Sequence, residues 1–152
     1  MIAVECGPDV ILVRVLGVPS KKIYHAGSKG RVVKAVEKFG GIGIIDEDPG
    51  CPQPKLLLNY SIAVTYEQLG IRILTRNNKR IIVICPRLEE FIIEACKESK
   101  INPRKFGLPL DPAQFHRKVN SRLRNFKMLL ETLLKVKNRR MKILRKIITF
   151  HN

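Results

Sequence analysis

The 152-residue chain has no tryptophan and few aromatic side chains, six Phe and three Tyr. They do not interleave with basic residues, so an aromatic stacking platform for single-stranded bases is not expected. No apolar run reaches the roughly 18 residues of a membrane span. The four cysteines, Cys6, Cys51, Cys85 and Cys96, make no CxxC pair. That argues against a zinc site or a disulfide frame, and for reduced thiols in a cytoplasmic protein. An acid at Glu5, with no basic stretch around it, argues against a signal peptide. His25, His116 and His151 are scattered, with no ligand spacing. Gly27 to Arg31 lacks the GxxxxGK[ST] pattern of a P-loop. Gly40-Gly41-Ile42-Gly43 precedes a strand instead of following one, so it is no dinucleotide fingerprint. There is no internal repeat and no low-complexity tract.

Acidic residues are also scarce, and unevenly so. The net charge is +16. Residues 1–115 hold 17 Lys and Arg against 12 Asp and Glu, whereas residues 116–152 hold 12 against Glu131 alone. A basic block of this kind attracts polyanions by steering and counterion release. Nucleic acid is the leading partner, an anionic membrane surface the second. The bland alternative is a solvated surface of the kind common in thermophile proteins.

Strands and helices alternate through the first half. Ile2 to Glu5 reads as a strand, and Asp9 as the N-cap of a helix from Val10 to Leu16. Lys22 to His25 is strand-like, and Gly27 to Gly30 a tight loop. Arg31 to Phe39 has helical spacing at Val32, Val33, Val36 and Phe39. Ile42 to Ile45 is a buried strand that stops at Asp46-Glu47-Asp48 and the breakers Pro49-Gly50. Leu56 to Leu69 shows no clean period. Ile71 to Thr75 and Arg80 to Cys85 read as a hairpin around Asn77-Asn78. Pro86 opens a helix, Arg87 to Ser99. Short connections of this order favour parallel strands with right-handed crossovers, hence an α/β sheet flanked by helices.

Three segments are expected: an α/β domain over 1–100, a linker over 101–112 with two further prolines beyond Pro103, and a basic amphipathic helical tail over 113–152. The tail repeats apolar residues at threes and fours, from Val119 through Leu123, Phe126, Leu130, Leu133, Met141 and Leu144 to Ile148. A break is expected near Lys137-Asn138. Its apolar stripe admits three readings: packing on the sheet, a homodimer contact, or a basic helix on nucleic acid or lipid. Arg117, Lys118, Arg122, Arg124, Lys127, Arg139 and Arg140 are the candidate phosphate contacts.

The candidate chemistry is acidic. Asp46 and Asp48 stand two apart at a strand end, on one side in extended geometry. Such carboxylates repel unless a cation, a proton or a basic side chain sits between them. Ligands of open parallel sheets collect beyond the carboxyl ends of the strands. If the strands ending at Glu5 and Asp46 are neighbours, Glu5, Asp46 and Asp48 share one rim with Asp9 below. A hard cation or a lysine such as Lys29 would relieve them. The bland alternatives are an acidic turn, an N-cap and an exposed glutamate.

These residues resemble a known family. Val4-Glu5-Cys6-Gly7-Pro8-Asp9 is similar to the VEGxxD opening of Toprim domains, especially those of the overcoming-lysogenization-defect nucleases. Ile44-Ile45-Asp46-Glu47-Asp48 resembles the later DxD motif. Cys85-Pro86-Arg87-Leu88-Glu89-Glu90-Phe91 resembles a strand-to-helix segment whose acid is matched by Glu89. The resemblance covers about residues 1–100. Cys6 departs from it by standing where the family has glycine. The resemblance implies a Toprim-like, Rossmann-like fold and Mg²⁺- or Mn²⁺-dependent phosphodiester hydrolysis of RNA or DNA. Asp46 and Asp48 would hold the ion. Glu5 would be the general acid/base or a further ligand, and Asp9 and Glu89 would support a second metal. Lys29 is a further candidate, from the small-residue loop. Two other readings stand beside the nuclease: a non-catalytic nucleic-acid-binding module of a larger complex, and a phosphate-receiver-type protein with Asp46 as acceptor.

Overall fold

Apolar residues alternate between two faces in each central strand, and that alternation divides the core in two. A computed structural model describes residues 1–150. Within them lie six strands: β1 (Ile2–Val4), β2 (Ile23–His25), β3 (Gly41–Asp46), β4 (Ser61–Tyr66), β5 (Ile71–Arg76) and β6 (Lys79–Ile84). They form one sheet in the order β2-β1-β3-β6-β5-β4. β2, β1, β3 and β6 are parallel neighbours. β5 and β4 extend the sheet by antiparallel pairing. The expected α/β class is present, as a mixed and mostly parallel sheet. No helix among the described residues is long and apolar enough to cross a membrane.

Among the described residues six α-helices cover the sheet: α1 (Gly7–Val15), α2 (Lys29–Phe39), α3 (Leu88–Glu98), α4 (Pro112–Val119), α5 (Leu123–Lys135) and α6 (Arg139–Thr149). Ile2, Val4, Ile42, Ile44, Ile82 and Ile84 join one core cluster with residues of α1, α3, α4, α5 and α6. Ala3, Ile45, Ile81 and Val83 belong to the other, with Val32, Val33 and Val36 of α2. Both faces of β1, β3 and β6 are thus covered, which is why these strands read as continuous apolar runs. Gly43 marks the closest approach of α2. A Cβ there would stand 2.8 Å from side-chain carbons of both Val32 and Ile81.

Several expectations change. α1 starts at Gly7, not Val10, and Asp9 sits in its first turn, where its carboxylate accepts from the Cys6 amide that precedes the helix. Lys29 opens α2 instead of lying in a loop, and Ser28 caps that helix through a bond from the Arg31 amide. The unassigned stretch before Leu69 contains β4, an edge strand with a register shift between Ile62 and Val64 and mostly exposed side chains. A strand with little to bury carries no apolar alternation to read.

The single helical pattern of the C-terminal segment is three helices, with an extra break at Asn120–Arg122. Arg122 has φ −135° and ψ 41°, outside helical geometry. The second break falls as expected. Lys137 takes a left-handed φ of 59°, and Asn138 caps α6 while its amide donates to the Ala95 carbonyl at 3.0 Å. The apolar stripe is buried in cis. Phe115, Val119, Phe126, Leu130, Leu133, Met141, Leu144 and Ile148 lie in the same cluster as Ile2 and Leu12. Burying each such large side chain is worth about 1.5–3 kcal/mol. The surface that the homodimer reading needed is therefore spent inside the chain. Arg140 is likewise not free for phosphate. It is buried, with its guanidinium bonded to Glu98 at 2.6 Å and to the Leu69 and Gln68 carbonyls at 2.9 and 3.0 Å.

Candidate functional site

Because β1, β3 and β6 are parallel and in register, with Val4 beside Ile44 and Asp46 beside Ile84, their carboxyl ends form one edge. The chain leaves that edge into helices, so the first turns of α1 and α3 meet the strand ends. Glu5 follows β1 and Asp46 closes β3. Glu89 and Glu90 lie in the first turn of α3. The start of α4, capped by Asp111, closes the side. Backbone amides hold the acids in place. Glu5 Oε1 accepts from the Asp46 amide at 3.0 Å, and Asp46 Oδ1 from the Leu88 amide at 3.1 Å. Asp9 Oδ2 accepts from both the amide and the thiol of Cys6 at 3.1 Å.

A cavity of about 760 Å³ opens over this edge. Its walls carry Glu5, Asp9, Asp46, Asp48, Glu89, Glu90 and Asp111 against Arg87, Arg117 and His116. Three of these acids have their affinity for protons raised. Burial pushes Asp46 up to about 9, with Asp9, Glu5, Glu89 and Asp48 adding repulsion in that order. Burial also raises Glu5 to about 7, against the opposing pull of the Asp46 amide, and Asp9 to about 6. Burial keeps the Cys6 thiol far above its ordinary range, with Asp9 adding to the effect.

Asp48 differs from its neighbours. In a left-handed turn conformation with φ 48°, it pairs with Lys29 Nζ at 3.0 Å and Arg87 Nε at 3.2 Å. Lys29 also donates to the Glu47 carbonyl and to Gln53. Glu90 accepts from Arg87 with one oxygen, while the other is buried without a partner. Glu89 is bonded to His116 at 2.7 Å.

The donor set suits a hard divalent cation. Every candidate ligand is a carboxylate oxygen, and among the described residues Glu90 Oε2 is buried without a partner. The fit is one of chemistry and not of finished coordination. Among the described residues, no three acid, His or Cys groups are disposed to share one ion as they stand.

Glu5, Asp9, Asp46, Asp48 and Glu89, chosen from a chain span of more than eighty residues, therefore line one cavity. Lys29 is not on its wall; it pairs with Asp48, and its charge also acts on Glu5. Of the basic candidates, Arg117 is on its wall. Lys118 lines an adjoining groove of about 690 Å³ with Arg104 and Gln114, and that groove shares Asp111 and Pro112 with the first. Arg122 is exposed and donates to the Gly107 carbonyl. Arg124, Lys127 and Arg139 are exposed on α5 and α6. Sequence reasoning missed His116, Arg87, Glu90 and Arg104 as site residues. A helix start at Asp111-Pro112 was the one local signal that could have brought His116 to the rim. His151 lies outside the described residues. Family models, curated proteins and solved structures give no match to this chain.

Proposed function

We propose that the chain is a Toprim-like, metal-dependent phosphodiester hydrolase acting on nucleic acid. The observation that carries this reading is the pairing of Glu5 with Asp46 at the carboxyl ends of adjacent parallel strands, in a pocket where both are driven to hold protons. Asp46, with Asp48 beside it, would hold one Mg²⁺ or Mn²⁺. Bound there, the ion supplies charge neutralisation at the phosphate and a more acidic attacking water.

The chain's own residues do the rest. The backbone amides of Asp46 and Leu88 fix Glu5 and Asp46. Glu5 accepts a proton from the attacking water, and its value near 7 suits a group that must exchange protons at neutral pH. Arg117 and Arg87, on the same wall, bind non-bridging phosphate oxygens. Lys118 and Arg104, in the adjoining groove, hold the neighbouring phosphates of the strand. Asp9 fixes the start of α1.

The test is cleavage of labelled RNA and DNA oligonucleotides with and without Mn²⁺, using the full chain and Asp46→Asn. Cleavage that needs both the ion and Asp46 supports the reading. Metal-independent cleavage, or cleavage that survives Asp46→Asn, overturns it. A second reading, a non-catalytic binding module, draws on the ion pairs from Lys29 and Arg87 that already neutralise Asp48. Tight oligonucleotide binding with no cleavage under any divalent ion would favour it.

A further inference from the structure

The cavity holds one arrangement that this mechanism leaves unused. Glu89 Oε1 lies 2.7 Å from His116 Nδ1. The carboxylate is 8% exposed and the imidazole 68% exposed, so the acid is inside and the ring stands at the open wall. A carboxylate only accepts, so Nδ1 carries the hydrogen of this bond. The bond therefore fixes the ring's orientation and tautomer, and Nε2 is left to exchange protons with whatever enters.

Both partners are held from behind. Asp111 accepts from the Gln114 amide at 3.0 Å and so starts α4. Phe115, the residue before His116, is fully buried with its ring edge-to-face on Phe126 at 6.0 Å. Glu89 follows Leu88, whose amide is bonded to Asp46. The same network that places Asp46 thus places Glu89. Burying one more acid beside Asp46 and Asp9 adds repulsion that a purely structural histidine pair does not need. The other ionisable groups on this wall are Glu5, Asp46 and Asp48 at the strand ends, Asp9 from α1, Arg87 and Glu90 at the start of α3, and Asp111 and Arg117 at α4.

We propose that His116 is a catalytic general acid for the leaving oxygen of the phosphodiester, and that Glu89 is its positioning residue. This rests on the hydrolase reading above. In the step, the water oxygen forms a bond to phosphorus while the bond from phosphorus to the leaving oxygen breaks. The electron pair of that bond goes to the leaving oxygen, which takes the Nε2 hydrogen of the doubly protonated ring and departs as a hydroxyl, leaving the ring neutral with its hydrogen on Nδ1. The water proton passes to Glu5. Solvent then returns a proton to Nε2 and removes the one on Glu5.

The test compares two Mn²⁺-dependent substrates of the full chain. One is an unmodified oligonucleotide; the other is bis(p-nitrophenyl) phosphate, whose leaving group departs without a proton. His116→Gln is expected to lower kcat on the oligonucleotide by about 10²–10⁴-fold, and to leave the p-nitrophenyl diester nearly unchanged. Its exposure predicts an unaltered melting temperature. Glu89→Gln is expected to give a smaller loss, again on the oligonucleotide alone. An equal loss on both substrates, or no loss on either, overturns the acid role. Independently of turnover, ¹⁵N NMR of the ring is expected to show Nδ1 protonated, and Glu89→Ala to shift the population towards Nε2–H. A tautomer that ignores residue 89 overturns the positioning role. If the unmodified chain cleaves neither substrate, the hydrolase reading and the acid role fall together, and the NMR result alone still reports whether the pair exists.

Discussion

The two ends of the sheet treat carboxylates in opposite ways. At the amino end, Glu37 of α2 is surrounded by partners. Its oxygens take the Tyr60 hydroxyl at 2.7 Å, Lys79 at 3.0 Å and Arg76 at 3.1 Å. The Tyr60 hydroxyl first, and Lys79 next, hold its carboxyl below the usual range. At the carboxyl end, Asp46 is half-buried among four other acids and pushed up to about 9. A chain with 29 Lys and Arg has ample cations to neutralise a carboxylate, and it does so at Glu37. Their scarcity around Asp46 is not explained by stability, since crowding unpaired acids is costly. The proposed hydrolase accounts for it, since an ion from outside would supply the missing positive charge.

The largest effect should come from neutralising each of these two acids in turn. Asp46→Asn is expected to lower metal-dependent cleavage by about 10²–10³-fold, the size of loss seen when one central electrostatic group is removed. Glu37→Gln should leave the rate unchanged. Stability should move the other way. Asp46→Asn removes a half-buried acid whose affinity for a proton is raised, so at pH 8 the variant is expected to gain about 0.5–2 kcal/mol. Glu37→Gln should lose stability. Oligonucleotide turnover and urea denaturation of both variants check the pattern. A common sign of stability change at the two ends would break the comparison.

Gly43 sharpens it next. It lies on β3 between the two ends and contacts neither acid. A Cβ there meets Val32 and Ile81 at 2.8 Å, so Gly43→Ala is expected to cost about 1–3 kcal/mol by overpacking. For a domain of this size that lowers the melting temperature by roughly 2–4 °C per kcal/mol. Calorimetry checks it. Turnover per folded molecule should be retained, because the register of β1 and β3 is set by backbone pairing.

The pH response should also separate the ends. Asp46, Glu5 and Asp9 bind protons more tightly in the folded chain than in the unfolded one. Their contribution is present below the unfolded carboxyl range. It is lost as pH rises through about 6, 7 and 9, so stability falls across that window. Glu37 has the opposite sign, and its contribution is lost as pH falls into the acid range. Urea midpoints from pH 5 to 9 should therefore decline, and decline less in Asp46→Asn. Added Mg²⁺ should stabilise more at pH 8 than at pH 6, because ion binding displaces those protons.

The comparison also shows what could be read in advance. Glu5, Asp46 and Asp48 were legible because each ends a short apolar run, and parallel strands bring such ends to one edge. The hairpin at Asn77 and the helix after Pro86 were legible from turn and start signals. The Glu37 cluster was not, since Tyr60, Arg76 and Lys79 come from three separate elements that only pairing of β5 with β6 and the approach of α2 bring together. His116 was hidden for the same reason. β4 was hidden because it buries almost nothing. Arg140 was misread because a basic residue near an apolar stripe looks solvent-facing until Glu98 and the Leu69 carbonyl are found beside it.

That misreading supplies the smallest and most discriminating expectation. If the groove beside the acidic cavity tracks a strand, Arg104 and Lys118 each neutralise a phosphate, and Arg140 none. For single strands each neutralised phosphate adds about 0.7 to the slope of log K against log salt. Arg104→Ala and Lys118→Ala should each reduce the measured slope by about that amount and weaken binding evenly across sequences. Arg140→Ala should leave the slope alone and lower the denaturation midpoint, because it strands Glu98 and two backbone carbonyls. Fluorescence anisotropy over a salt series, without divalent ions so that cleavage cannot intervene, reads all three. A slope that responds to Arg140 and ignores Arg104 would move the strand off this groove and leave the acidic cavity without an approach for its phosphate.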